Sequence, residues 1–259
     1  MRRNIGPLTV DVFPPERNKF RAPIVMVHGL WVGGWCWHEW ATRLCNLGWE
    51  CWSLNLKERA AGPPRRPGEA VDDLCAVLSE SPFPPVLMGH GTGARLASAA
   101  AEARAVTAGV LVAPDITPHL GELPKAMRLL RLRYLALLML RRRVLIRPAD
   151  FCELWLTTVP EEQQRTIVGA LAPEPPDMVR ALFERGVPLP ELPSPALVLA
   201  GGDDRVVPGP ACQDFARDIG ADYMEAAGRG HWLLEDGDLV SRTHSWLVRT
   251  LGEELQELP

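Results

Sequence analysis

The chain reads as an α/β protein, a mainly parallel central sheet flanked by helices on both faces. Three observations predict this. Strand-like and helix-patterned runs alternate along most of the 259 residues, four of the strand-like runs (IVMV, VLM, VLV and LVL) are apolar at every position, and one long helical stretch interrupts the alternation late in the chain. Alternation calls for helical crossovers, which are what join parallel strands. Continuous apolarity fits strands covered on both faces, so those four runs should form the centre of the sheet.

Taken in order, strands are expected at Leu8 to Phe13, Ile24 to Val27, Trp49 to Leu54, Pro85 to Met88, Gly109 to Val112, Ala196 to Leu199 and Ala221 to Glu225. Helices are expected at Trp35 to Leu47, Glu69 to Leu78, Thr92 to Arg104, Pro210 to Ile219 and Asp238 to Leu251. Between Ile116 and Pro195 the chain reads as helices separated by the proline clusters LAPEPPD and GVPLPELPSP. An insertion between two late strands falls at the carboxyl end of the sheet, where open α/β sheets bind ligands. Residues 1–115 and 196–259 are therefore expected to form one core, and residues 116–195 a helical cap or lid over it.

Bulk composition narrows the function classes. A hydrophobic share of 47% suffices for a sizeable core, and a net charge of -4 lacks the basic footprint that nucleic-acid binding needs. The two arginines at the start precede no apolar core of the kind a secretory leader has. The apolar run Tyr134 to Leu140 is far short of the roughly 20 residues that cross a bilayer, so no transmembrane segment is expected. Six cysteines (36, 45, 51, 75, 152 and 212) form no C-x-x-C pair and no zinc-like alternation with histidine. They read as reduced thiols of a cytoplasmic protein, with no metal and no cofactor expected.

Three segments carry residues suited to chemistry. The strand Ile24 to Val27 runs into His28-Gly29-Leu30-Trp31, a turn whose amide past the glycine could face a developing oxyanion; Leu30 is the first candidate donor and Trp31 the next. PVLMGHGTGAR, residues 85–95, runs a strand through a glycine turn into a helix; Gly89, Gly93 and Ala94 leave that turn free of clashes, and Thr92 offers a second amide at the helix start. The last segment is split between GGDDRVVP, with Asp203 and Asp204, and AGRGHW, with His231 27 residues after Asp204. The order is elbow, acid, base.

With these motifs in this order, the chain resembles the α/β-hydrolase-fold superfamily, serine hydrolases and esterases among them, over residues 24 to 250. The resemblance implies that Asp204 is the acid and His231 the base. It also exposes a departure. Gly91 stands where the family carries a serine or, in some branches, an aspartate or cysteine, so no hydroxyl remains for His231 to deprotonate.

Other groups near these motifs have bland and sharp readings. Thr92 and Cys36 are the nearest alternative nucleophiles, and both read better as structural. Asp203 and Asp115 compete with Asp204 as the carboxylate behind the imidazole. His28 fits a support for the H-G turn, His90 and Trp232 fit the pocket wall, and His38, His119 and His244 fit surface or helix positions. Among Trp31, Trp35, Trp37 and Trp40, Trp31 is the one favoured for the pocket and the substrate. In the lid, Lys125, Arg128, Arg131, Arg133, Arg141, Arg142, Arg143 and Arg147 interleave with leucines in what reads as a cationic helix pair. That is a solvated face, or one that attracts an anionic substrate, a carrier protein or a membrane surface.

Three functions are consistent with these residues. The first is an atypical enzyme in which His231, steadied by Asp204, moves a proton while the Leu30 and Thr92 amides hold an oxyanion or enolate. Its substrate would be a small, apolar, carbonyl-containing molecule, and the reaction an isomerisation, elimination, cyclisation or direct hydrolysis by water. The second is a serine esterase, lipase-like hydrolase or thioesterase in which Gly91 replaces a native serine. The third is a non-catalytic ligand-binding or partner protein.

Overall fold

A computed structural model describes residues 1–59, 62, 64, 66–120, 122–184, 192 and 195–252. Its eight strands form one sheet in the order β1-β2-β4-β3-β5-β6-β7-β8. They are β1 (Arg2–Ile5), β2 (Leu8–Phe13), β3 (Ile24–Val27), β4 (Cys51–Arg59), β5 (Val86–His90), β6 (Ala108–Val112), β7 (Ala196–Gly201) and β8 (Asp222–Ala226). From β4 to β8 every neighbouring pair is parallel, and the β1–β2 and β2–β4 pairs are antiparallel. β3, β5, β6 and β7 are buried at every position, so the four wholly apolar runs do form the middle of the sheet.

The expected strands are all present, with shifted ends. Trp49 is not part of β4; its ring stacks on Phe20 at 3.9 Å and its Nε1 donates to His244 Nδ1, so it packs ahead of the strand that begins at Cys51. β4 runs on through Lys57, Glu58 and Arg59, polar residues held by pairing with β2 across a bulge near Leu8 and Thr9. β1 was not expected at all. Its residues RRNI have no apolar alternation, and the strand is held by backbone pairing with β2 and by Arg2, which bridges Asp11 and Glu58.

Nine α-helices are described: α1 (His38–Asn46), α2 (Pro67–Ser79), α3 (Thr92–Ala103), α4 (Lys125–Met139), α5 (Pro148–Leu154), α6 (Glu161–Gly169), α7 (Pro176–Ala181), α8 (Gly209–Asp218) and α9 (Gly237–Leu251). The stretch expected as one helix from Trp35 opens as a tight 3-10 turn over Gly34–Trp37. There the Gly34 amide donates to Asn55 and its carbonyl accepts from the Ser53 hydroxyl, which pins this turn to β4.

The segment between β6 and β7 is helical, as expected, with α4 to α7 after a short 3-10 turn at Thr117–His119. The cationic helix pair is one helix only. Arg141 adopts φ +52° just past α4, and Arg141, Arg142, Arg143 and Arg147 then follow an irregular path in which Val144 bridges Glu174, until Pro148 opens α5. Most of the proline cluster GVPLPELPSP lies outside the described residues.

This topology gathers the expected site. β3 is flanked by β4 and β5, so the chain leaves it in opposite directions and a crevice opens at the carboxyl ends of the strands. His28 to Trp31 follow β3, the glycine turn follows β5, Asp115 follows β6, Asp204 follows β7 and His231 follows β8. None of the described helices is long and apolar enough to cross a membrane.

Candidate active site

Between β5 and α3 the chain reverses within one residue. Gly91 has φ +54° and ψ -122°, a left-handed conformation in which an L side chain is strained. Its amide donates to Val112 O, and its carbonyl accepts from the amides of Ala94 and Asp115, so the turn is held from both sides. A Cβ built on Gly91 would meet one atom, Nε2 of His231, at 3.4 Å. The elbow therefore keeps the geometry that would present a side chain to the imidazole, although it has none.

Gly93 is needed for a different reason. A Cβ there would lie 2.4 Å from Val27 O and 2.5 Å from His28 O, so α3 reaches the end of β3 only because this residue lacks one. Gly93→Ala is expected to lower stability by roughly 3 kcal/mol, the upper end of ordinary overpacking, because the obstacle is backbone. A urea titration of the variant beside the wild-type chain measures it.

His231 is buried, and its Nδ1 lies 2.8 Å from Asp204 Oδ2. The other oxygen, Asp204 Oδ1, accepts the amides of Val206 (2.7 Å) and Val207 (3.0 Å), which fixes the carboxylate plane. An ionised carboxylate only accepts, so His231 carries its proton on Nδ1 and turns a lone pair on Nε2 toward Gly91. The competing acids are not bonded to the His231 ring. Asp203 is exposed, and Asp115 is tied to Thr117 through the hydroxyl (2.5 Å) and the amide, with Arg95 at 3.4 Å.

The two turns that carry the candidate oxyanion amides lie close together. Thr92 opens α3, so its N–H has no acceptor in the preceding turn, and that nitrogen is 3.7 Å from where a Cβ on Gly29 would be. Among the described residues no acceptor takes the Leu30 amide. Trp31 is different: its N–H donates to Glu174 Oε1 at 2.7 Å, its carbonyl accepts from Ala172, and its indole N–H donates to Val144 O. These bonds, all to the segment between β6 and β7, hold Trp31 at φ +64°. Its amide is engaged, whereas that of Leu30, on the same turn, is not.

A pocket of about 360 Å³, mouth included, joins these groups. Gly91, Thr92, Leu30, Trp31, His90, His231 and Trp232 all line it. Phe151, Trp155 and Leu182, from the segment between β6 and β7, complete the wall, and Asp115 adds a second carboxyl group whose pKa burial raises. Phe151, Trp155 and Leu182 are not among the candidates the sequence offers. Phe151 and Trp155 stack at 5.4 Å, and their i, i+4 spacing was the signal that marks a common face. Of the tryptophans after the H-G turn, Trp37 and Trp40 are core, and Trp35 is partly exposed beside Trp232. Cys36 is buried and burial pushes its thiol pKa far up, so it is no nucleophile.

His28 and His90 are buried neutral rings. His28 accepts the Leu56 amide on Nε2 and donates from Nδ1 to Gly29 O, which supports the turn. His90 approaches His231 to a ring distance of 5.0 Å and donates from Nε2 to the His231 carbonyl. Burial first, with Lys57 acting on His28 and His231 on His90, lowers each pKa from 6.5 to about 3. Between those values the unfolded chain binds protons at both positions and the folded chain does not, so stability is lost as pH falls through that window. The two rings give a slope of up to roughly 3 kcal/mol per pH unit, which the raised pKa of Asp115 and of Asp73 offsets in part near the carboxylate range. Urea midpoints at about pH 7 and pH 5 should differ accordingly, and His90→Gln should flatten the slope, to which His119 and His244, also lowered by burial, add in the same direction.

The comparisons bear on this geometry. A family model described as "Alpha/beta hydrolase family" matches residues 24–243, a span from the start of β3 into α9. The chain belongs to the alpha/beta hydrolase family. No curated protein sequence matches this alpha/beta hydrolase closely enough to add a relative. Among solved structures it is similar to a thermophilic esterase from Thermogutta terrifontis, at 18% identity and a TM-score of 0.73 over 96% of this chain and 99% of that one. It is also similar to MenH from S. aureus, at 18% identity and a TM-score of 0.72 over 93% and 98% of the two chains. The esterase RhEst1 from Rhodococcus sp. ECU1013 aligns at 21% identity and a TM-score of 0.69 over 94% and 95%. At these identities the likeness is one of fold.

Proposed function

We propose that this alpha/beta hydrolase is an enzyme that works by proton transfer through His231, without a covalent intermediate at residue 91. The observation that supports it is the 2.8 Å contact between His231 Nδ1 and Asp204 Oδ2, with Nε2 directed at an elbow that has no side chain. A protein that only bound a ligand would have no use for an imidazole oriented in this way. The substrate is a small, largely apolar molecule with a carbonyl group, which fits walls of Trp31, Phe151, Trp155 and Trp232. Residues 116–195 act as the lid, and six unbridged cysteines fit a reducing, cytoplasmic setting.

In direct hydrolysis a water beside Gly91 gives its proton to Nε2 as its oxygen attacks the carbonyl carbon. The carbonyl oxygen becomes an oxyanion and accepts from the Leu30 and Thr92 amides. Collapse expels the leaving group, which takes the proton back from Nε2. In an isomerisation, elimination or cyclisation, Nε2 instead removes a proton next to the carbonyl, and the same amides hold the enolate. A triad without its nucleophile retains only about 10³ to 10⁴-fold acceleration over water, which favours activated esters, lactones or acidic C–H bonds as substrates. Turnover of a panel of such compounds, with His231→Ala as control, tests the proposal; equal rates in the two proteins defeat it.

One observation favours a second reading. Gly91 keeps the φ, ψ and outlook of a nucleophile position, as it would if it replaced a native serine in an esterase, lipase-like hydrolase or thioesterase.

A further inference from the structure

The outer face of α4 is unlike the rest of the surface. Its inner face buries Met127, Leu130, Tyr134 and Leu138, spaced three and four residues apart. The opposite face carries a second apolar stripe, in which Leu129, Leu132, Met139 and Leu140 are 56%, 65%, 71% and 71% exposed. Ten large apolar side chains are exposed among the described residues, and seven of them lie between Leu129 and Leu145, so this is a patch and not scatter.

Charge is concentrated in the same place. From residue 123 to residue 149 there are eight cations and no acid, in a chain whose net charge is -4. Arg128 and Arg133 flank the apolar stripe, and Arg141, Arg142 and Arg143 follow its end. Arg133 and Arg147 are taken by Asp150 and Arg141 by Asp177, while Arg128 has a loose, solvent-exposed pairing with Glu122 at 3.8 Å. Among the described residues Lys125, Arg131 and Arg142 have no carboxylate within ion-pair distance.

We infer that this face docks on an anionic phospholipid surface, with α4 lying in the plane of the interface. Leucine and methionine side chains enter the acyl boundary while the flanking arginines meet the phosphates. Arg128 and Arg131 share a shallow groove with Glu122, Leu123, Leu132 and Leu135; Glu122 pairs with Arg128 at 3.8 Å, and Arg131 is the cation left beside the apolar wall, which matches a lipid phosphate and its first methylenes. A second copy of the chain fits poorly, because two-fold pairing would set these cations against themselves. An acidic protein would satisfy the charge and leave the projecting stripe without a complementary cavity. The inner face of α4 links this surface to the pocket: Tyr134 donates to Asp150, which precedes Phe151 of the pocket wall. The inference is independent of the chemistry at Gly91.

Co-sedimentation of the full chain with vesicles tests it. Binding to vesicles of equal parts phosphatidylcholine and phosphatidylglycerol should exceed binding to phosphatidylcholine alone by more than about tenfold and should vanish near 1 M salt. Arg128→Gln with Arg142→Gln should weaken it by roughly 25-fold, about fivefold for each charge. Leu132→Ser with Met139→Ser should weaken it by at least about tenfold. All four side chains are exposed, so the variants should keep the wild-type circular dichroism and urea midpoint. Equal binding to both vesicle types, or binding unchanged in either double variant, overturns the inference. So does a result in which vesicles are not bound and the chain instead self-associates, or is retained on immobilised polyglutamate, through this face.

Discussion

Gly91→Ser turns the protein into a serine esterase, with kcat/KM on short p-nitrophenyl esters rising by at least about 10³-fold over the parent chain. The argument is geometric. A Cβ at residue 91 points at His231 Nε2 from 3.4 Å, and the added Oγ extends into hydrogen-bond reach of a nitrogen whose lone pair is free because Nδ1 serves Asp204. The acyl-enzyme carbonyl then faces the Leu30 and Thr92 amides. Serine at φ +54° stores about 1 to 3 kcal/mol of backbone strain, so the variant should also unfold at a lower urea concentration. A burst of p-nitrophenol and a phosphonate adduct on residue 91 by mass spectrometry are the expected readouts. A folded variant with neither would show that the imidazole and the elbow do not face each other as described.

Asp204→Asn is expected to remove about 10² to 10⁴ of the native activity, and of the esterase activity in the Gly91→Ser background, at little cost in stability. Oδ1 of residue 204 is already held by the Val206 and Val207 amides, so the asparagine oxygen takes that place and its NH₂ group faces the imidazole. Nδ1 must then accept, and the proton moves to Nε2, where a base is required. Because the fault is a tautomer and not a cavity, kcat should fall while the urea midpoint barely moves. A variant as active as the parent would assign the orienting role to another carboxylate, Asp115 being the one in the same pocket.

Features that depend on local pattern were legible in the sequence. The wholly apolar runs gave away the buried strands, and three glycine-punctuated turns placed the carboxyl-end loops, because both signals come from residues whose own burial or backbone conformation decides the structure. The order Gly91, Asp204, His231 likewise survives into space, since successive parallel strands deliver their following loops to one edge of the sheet. What stayed hidden depends on partners distant in the chain. β1 has no apolar pattern and exists because β2 offers an edge. The break after α4 follows from Arg141 at positive φ and from a bridge between Val144 and Glu174, neither of which periodicity can show. The engagement of the Trp31 amide by Glu174, 143 residues away, could not be read from the motif that contains Trp31.

That bond ties the segment between β6 and β7 to the turn after β3. Glu174 also pairs with Lys57 at 2.7 Å, so a single carboxylate braces a strand end, the residue after Leu30 and the chain above the pocket. If that segment serves as the proposed lid, lifting it would strip Trp31 of the contacts that hold it at φ +64° and free the backbone beside Leu30. In the reaction proposed here, readiness for chemistry and exclusion of bulk water would thus arrive together.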